Sequence, residues 1–108
     1  MEFRVLFRIE KHELVGKLHT KIKNLRNYME EEGHDLKIEI VFSGNVVKLF
    51  KNDYSEFLDP SLDVVLCNNA LKTAEMDPIN YKNIRTVKAG IGEIIERKAT
   101  GWIEFTIE

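Results

Sequence analysis

A single cysteine, Cys67, stands among 108 residues, so no disulfide can close within the chain. There is no Cys/His cluster with zinc spacing, and His12, His19 and His34 are scattered. The longest apolar run is a few residues, far short of the roughly 20 that span a bilayer. Neither sign of charge dominates: 16 basic and 18 acidic residues give a net charge of −2. No strong field gathers phosphate backbones, which excludes nucleic acid as a main partner. Only two prolines interrupt the chain, Pro60 in FLDPSLD and Pro78 in EMDPINY, both in turn-like settings. Low-complexity segments, internal repeats and linkers are absent, and the length is that of one domain. The N-terminal MEFRVLFRIEK carries charges inside its apolar stretch and predicts a strand in place of a signal peptide. Together with the lone thiol, this points to a reducing cytoplasm.

What is present alternates between two periods. Phe3, Val5, Phe7 and Ile9 alternate with Arg4, Leu6 and Arg8, the period of a strand. Leu14, Leu18, Ile22, Leu25 and Met29 then recur at helical spacing, predicting a helix from about His12 to Glu32 that stops at Gly33. Leu36, Ile38 and Ile40 alternate with Lys37 and Glu39 as a second strand. SerGlyAsn at 43–45 breaks it and offers caps for a short helix through Phe50. Leu62 to Leu66 reads as a third strand, and its ValValLeu centre predicts burial on both faces. Asn68 or Asn69 can cap a third helix ending near Met76. Ile84–Val87 is a short fourth strand. Ala89–Ala99 is a fourth helix with Ile91, Ile94 and Ile95 inward, and Trp102–Ile107 is a fifth strand. Strands alternating with helices predict an α/β fold: a mostly parallel five-stranded sheet in a three-layer α/β/α sandwich. Such sheets hold their sites outside the carboxyl ends of the strands.

Four strand exits supply the chemistry there: Glu10, Lys11 and His12; Ser43, Gly44 and Asn45; Cys67, Asn68 and Asn69; and Lys88 to Gly92, including Gly90. A phospho-receiver domain would need an aspartate where Cys67 stands. A flavodoxin would need a small hydroxyl-rich loop where EKHEL stands. No GxxxxGK[ST] loop exists, and GIG at 90–92 lacks the rest of a dinucleotide fingerprint. A rhodanese or cysteine-phosphatase loop would place an arginine about six residues after the cysteine; CNNALKT has none.

Cys67 remains. A cysteine at a helix N-terminus faces unpaired N–H groups and the positive end of the dipole, and both favour thiolate over thiol. A thiolate can attack a sulfane sulfur and hold it as a persulfide. Free cysteine is also among the most buried residue types, and Cys67 equally fits an inert core position. His12 can act as base or imidazolium beside the thiol, or stand as a polar residue in a helix's first turn. Asn69 can donate to the sulfur or cap the helix; Ser43 and Asn45 suit caps. Lys88 can add positive potential or be simply solvated. Glu93 suits the helix dipole. Arg4 and Arg8 in a central strand require a neighbouring subunit, or Glu39 and Glu104, as partners.

The succession KIEIVFSGNVVKLF, DVVLCNNALK and IRTVKAGIGEIIERKATGW resembles the DsrE/DsrF-like sulfur-relay family across nearly the whole chain. Cys67, Asn69, Gly90, Glu93, Ile94, Gly101 and Trp102 match that family's pattern. Ala70 stands where many small relatives have Ser or Thr, and Lys98 where many have Gln. The resemblance implies that Cys67 carries the persulfide and that no cofactor is needed. It also implies a trimer or hexamer working with sulfur donor and acceptor proteins such as TusA-like carriers. The competing reading is a non-catalytic oligomeric subunit or small-ligand-binding module with an inert cysteine. A redox-sensing thiol would need a resolving cysteine from a partner.

Overall fold

Period-2 alternation becomes five strands: β1 (Glu2–Ile9), β2 (Asp35–Phe42), β3 (Leu62–Cys67), β4 (Ile84–Val87) and β5 (Ile103–Ile107). The structure is a computed structural model and describes residues 1–108. The strands form one sheet in the order β4-β3-β2-β1-β5, and every adjacent pair is parallel. The helices are α1 (Val15–Glu31), α2 (Asn68–Thr73) and α3 (Gly90–Ala99), with 3₁₀ segments at His12–Leu14, Gly44–Lys51 and Ser55–Phe57.

The strand order explains the layers. From β1 to β4 the chain steps in one direction across the sheet, and right-handed crossovers then keep every connection on one face. Leu18 and Ile22 of α1, Val46, Val47 and Phe50 of the 44–51 segment, and Leu71 of α2 share that face in a core of 19 buried residues. From β4 the chain jumps back past β1 to β5, so α3 crosses the opposite face alone. There Ile94 packs with Leu6, Val41 and Val65 in a cluster of four. Burying one such side chain contributes about 2 kcal/mol.

Several local expectations change. The segment after β2 is 3₁₀ rather than α over its eight residues. The helix after β3 ends at Thr73, short of Met76. Ile91 and Ile95 do not point inward; each is 61% exposed. The inward side of α3 is the row Gly90, Glu93, Ile94 and Arg97, spaced as one helical stripe. Two of those four are charged, because the sheet beneath presents charges of its own: Glu39, Asp63 and Arg85. Arg4 and Arg8 do not reach Glu39 or Glu104. Arg8 pairs with Glu10 at 3.3 Å, and Glu104 pairs with Lys98 at 3.2 Å.

Candidate functional site

The sheet has one place where neighbouring strands send their chains to opposite faces: β3 leads into α2 on one side, and β4 leads into α3 on the other. A crevice opens at such a switch point, outside the carboxyl ends of the strands. Cys67 is the last residue of β3 and stands beside Val87, the last of β4. It is therefore at the mouth of that crevice, although only 7% of its surface is exposed.

Period 2 decides where its side chain goes. Asp63, Val65 and Cys67 project toward α3, while Val64 and Leu66 enter the larger core. The first residue of α3, Gly90, is buried over it. A side-chain carbon on Gly90 would stand 3.3 Å from Val41 Cγ1, 3.4 Å from Cys67 Cβ and 3.6 Å from Ser43 Cβ. Glycine thus lets the start of α3 close over Cys67 and Ser43. The N-cap of α3 is Ala89, which has no side chain able to cap, so the first-turn N–H groups of that helix lack a side-chain partner.

On the other side Cys67 borders a cleft of about 400 Å³ lined also by Gly44, Asn45, Lys48, Asn69 and Thr73. Gly44 is held there at φ +65, and a Cβ on it would lie 2.9 Å from the carbonyl oxygen of Glu10. Replacing Gly44 with alanine combines left-handed strain with a backbone clash. The expected loss is about 2 kcal/mol, read as a lowered urea midpoint with unchanged slope.

The sequence candidates divide accordingly. Cys67, Asn69, Gly44 and Asn45 share the cleft, and Gly90 stands close to both Cys67 and Ser43 from behind. His12 does not line this cleft. It borders a smaller neighbouring one with Asn45, Lys48 and Asn52, and its backbone N–H donates to Asn45 Oδ1 at 3.1 Å. Asn68 lies outside the cleft lining, and Lys88 is exposed. The expected caps do not form. Cys67 is itself the N-cap of α2, in extended backbone with no side-chain cap bond, which puts Asn68 and Asn69 inside the first turn. Ser43 Oγ donates to Glu10 Oε1 at 3.4 Å instead of capping the segment that follows it. Asn45 is spent in part on His12, tying the exit of β2 to that of β1.

Lys48 and Thr73 are the cleft residues that sequence reasoning missed. Asn45 and Lys48 are three apart, and in a 3₁₀ turn such residues eclipse on one side. The 3₁₀ segment thus sets Lys48 beside Asn45 along the cleft.

A second polar cluster lies on the α3 face, two to four residues down the strands from Cys67. Glu39 is fully buried on β2. Arg97 Nε is 2.8 Å and Arg85 Nη2 3.3 Å from its Oε1. Glu93 takes the same two guanidiniums, at 2.6 Å from Arg85 and 3.1 Å from Arg97. Asp63 takes them at 3.0 and 3.4 Å. The Arg97 guanidinium also stacks over Trp102, 4.9 Å from the ring centre. Burial pushes the Glu39 carboxyl up to about 8, helped by the hydrogen bond and charge of Glu93 and opposed by the charge of Arg97. Glu93 moves the other way. Burial acts to raise it, but hydrogen bonds from Arg85, Glu39 and Arg97 and the charge of Arg85 outweigh that and hold it below the usual carboxylate range.

No family profile and no curated protein matches the chain. A solved structure does. The protein of unknown function MTH1491 from Methanobacterium thermoautotrophicum superposes with a TM-score of 0.79 at 25% identity. The match covers 96% of this chain and 98% of that one. The α/β architecture is therefore shared end to end with a protein of similar length. No helix of the chain is long and apolar enough to cross a membrane.

Proposed function

We propose that the protein is a sulfur carrier of the DsrE/DsrF-like kind and that Cys67 holds the sulfur. The observation that carries this reading is the position of the only cysteine, at the switch point of the sheet and against the start of α3. The Cys67 thiolate attacks the outer sulfur of a donor persulfide, R–S–SH. The donor S–S bond breaks, R–S⁻ leaves, and Cys67 carries –S–SH. An acceptor thiolate then attacks that outer sulfur and Cys67 leaves as thiolate, so the cycle has no net redox change. The uncapped N–H groups of α3 stabilise the sulfur anion at each stage. Lys48 and Asn69 supply a cation and an amide in the cleft. Donor and acceptor are proteins of the small TusA-like type, in the cytoplasm, and no cofactor takes part. Exposed Ile91 and Ile95 on α3 and Ile103 and Phe105 on β5 support a homo-oligomer, trimer or hexamer.

The 7% exposure of Cys67 favours a second reading, an oligomeric or ligand-binding subunit with an inert thiol. Mass spectrometry of the intact protein after incubation with a low-molecular-weight persulfide separates the two. The unmodified chain gains one sulfur atom and returns it to an added thiol, while Cys67→Ser gains none. An unmodified folded chain that gains no sulfur, or a Ser variant that gains it equally, rejects the carrier.

A further inference from the structure

We infer that Glu39 and Glu93 hold one proton between them, and that this proton fastens α3 to the sheet and thereby gates the cover over Cys67. The regulatory meaning rests on the proposed role of Cys67; the gate itself does not.

The geometry leads here from three directions. First, Glu39 is 0% exposed, and its Oε2 has no hydrogen-bond donor from the protein. An ionised carboxylate oxygen left so is costly, whereas a protonated one can donate its hydrogen to the neighbouring Glu93 carboxylate. Second, the charges facing Glu39 are all on the page. Opposite Glu39, β1 offers the neutral Leu6, β3 Asp63, β4 Arg85, and α3 Glu93 and Arg97; on the same face Arg8 is paired with Glu10, Lys37 with Glu2, and the Arg4 guanidinium lies beside Gly101. Beyond β1, Glu104 and Lys98 are paired with each other. Three carboxyls therefore meet two guanidiniums, and one proton brings the buried group to neutrality. The upward displacement of Glu39 beside a lowered Glu93 agrees with a proton shared by the pair. Third, α3 has little else to hold it. Its only fully apolar anchor is Ile94 in a cluster of four, against 19 buried residues on the opposite face.

Losing the proton puts two anions against each other, one on β2 and one on α3. The repulsion acts along the direction that lifts α3. Gly90, at the start of that helix, then withdraws from Cys67 and Ser43. Glu39 and Glu93 are positioning residues, acting on the thiol only through α3.

The test uses the full native chain. Infrared spectra from about pH 6 to 9 should show a protonated-carboxyl carbonyl band that disappears near 8 and is missing from Glu39→Gln. Iodoacetamide then reads access to Cys67. The ratio of the rate for the unmodified protein to that for Glu39→Gln cancels the thiol's own titration. It should be constant below about pH 7 and rise roughly tenfold above 8 as local opening of α3 becomes easier. If Glu39→Gln does not fold, amide exchange of α3 relative to α1 in the unmodified protein takes its place, with the same rise expected. No carboxyl band at neutral pH overturns the shared proton. A band with a flat ratio overturns the gate. Iodoacetamide needs no sulfur chemistry, so a protein with this gate but no persulfide passes here and fails the sulfur-loading experiment.

Discussion

Arg97→Ala lowers the unfolding free energy by about 3 kcal/mol and the melting temperature by roughly 12 °C or more. Arg97 closes three of the contacts among the charges on the α3 face, to Glu39, Glu93 and Asp63, and also lies on Trp102. Its removal leaves the fully buried Glu39 with Arg85 as its single cation, at 3.3 Å. The cost arises mostly from the three carboxyls, with one proton among them, that are left facing the single guanidinium of Arg85, whereas replacing a buried acid and its cation together by apolar groups costs little. The double change Glu39→Met with Arg97→Met is therefore milder than Arg97→Ala alone, a non-additivity expected of directly contacting groups. Chemical unfolding of the two variants checks both statements. An Arg97→Ala protein as stable as the parent would show that the ionic cluster is ornamental to α3.

Stability should peak near about pH 5 and decline toward pH 9, by a total on the order of 3 kcal/mol. Glu39 is raised above its unfolded value of 4.5, so between there and about 8 the folded state keeps a proton that the unfolded chain has released. An acid displaced upward contributes stability below its unfolded value and loses it as pH rises through the folded one. Glu93 is displaced downward, with the opposite sign: its contribution is present above the ordinary carboxylate range and disappears in acid. The two windows overlap in weak acid. Urea midpoints across the range should trace that optimum in the parent, and Glu39→Gln should flatten the alkaline limb only. A midpoint that climbs from pH 5 to 8 contradicts the assignment.

The five strands and their sequence order were legible because period 2 and period 3.6 alternate cleanly along the chain. So was the place of Cys67, since a strand end followed by a helix sets it locally. The character of Glu39 was not. With Lys37 it reads as the polar side of an alternating strand, and Lys37 is indeed exposed, yet Glu39 is fully buried. Both lie on one face of β2, and the difference between them is where α3 crosses. That crossing depends on β5 returning to the far edge beside β1, a pairing across most of the chain. The same non-local choice turned Ile91 and Ile95 outward and Glu93 and Arg97 inward. The caps failed for a local reason. Cys67 itself takes the N-cap backbone conformation, and Ser43 and Asn45 are drawn to Glu10 and His12 at the neighbouring strand exit. Lys48 stayed hidden because a single lysine in a short segment reads as solvated until the fold brings α2 alongside that segment.

The reactivity of Cys67 in the folded state tests the central claim most directly. Alkylation with iodoacetamide near neutral pH should proceed at a rate within about tenfold of that of the chain unfolded in urea, because the thiol sits at the mouth of the switch-point crevice. Reaction only after unfolding would make Cys67 a core residue, and the sulfur-carrier reading would fall with it.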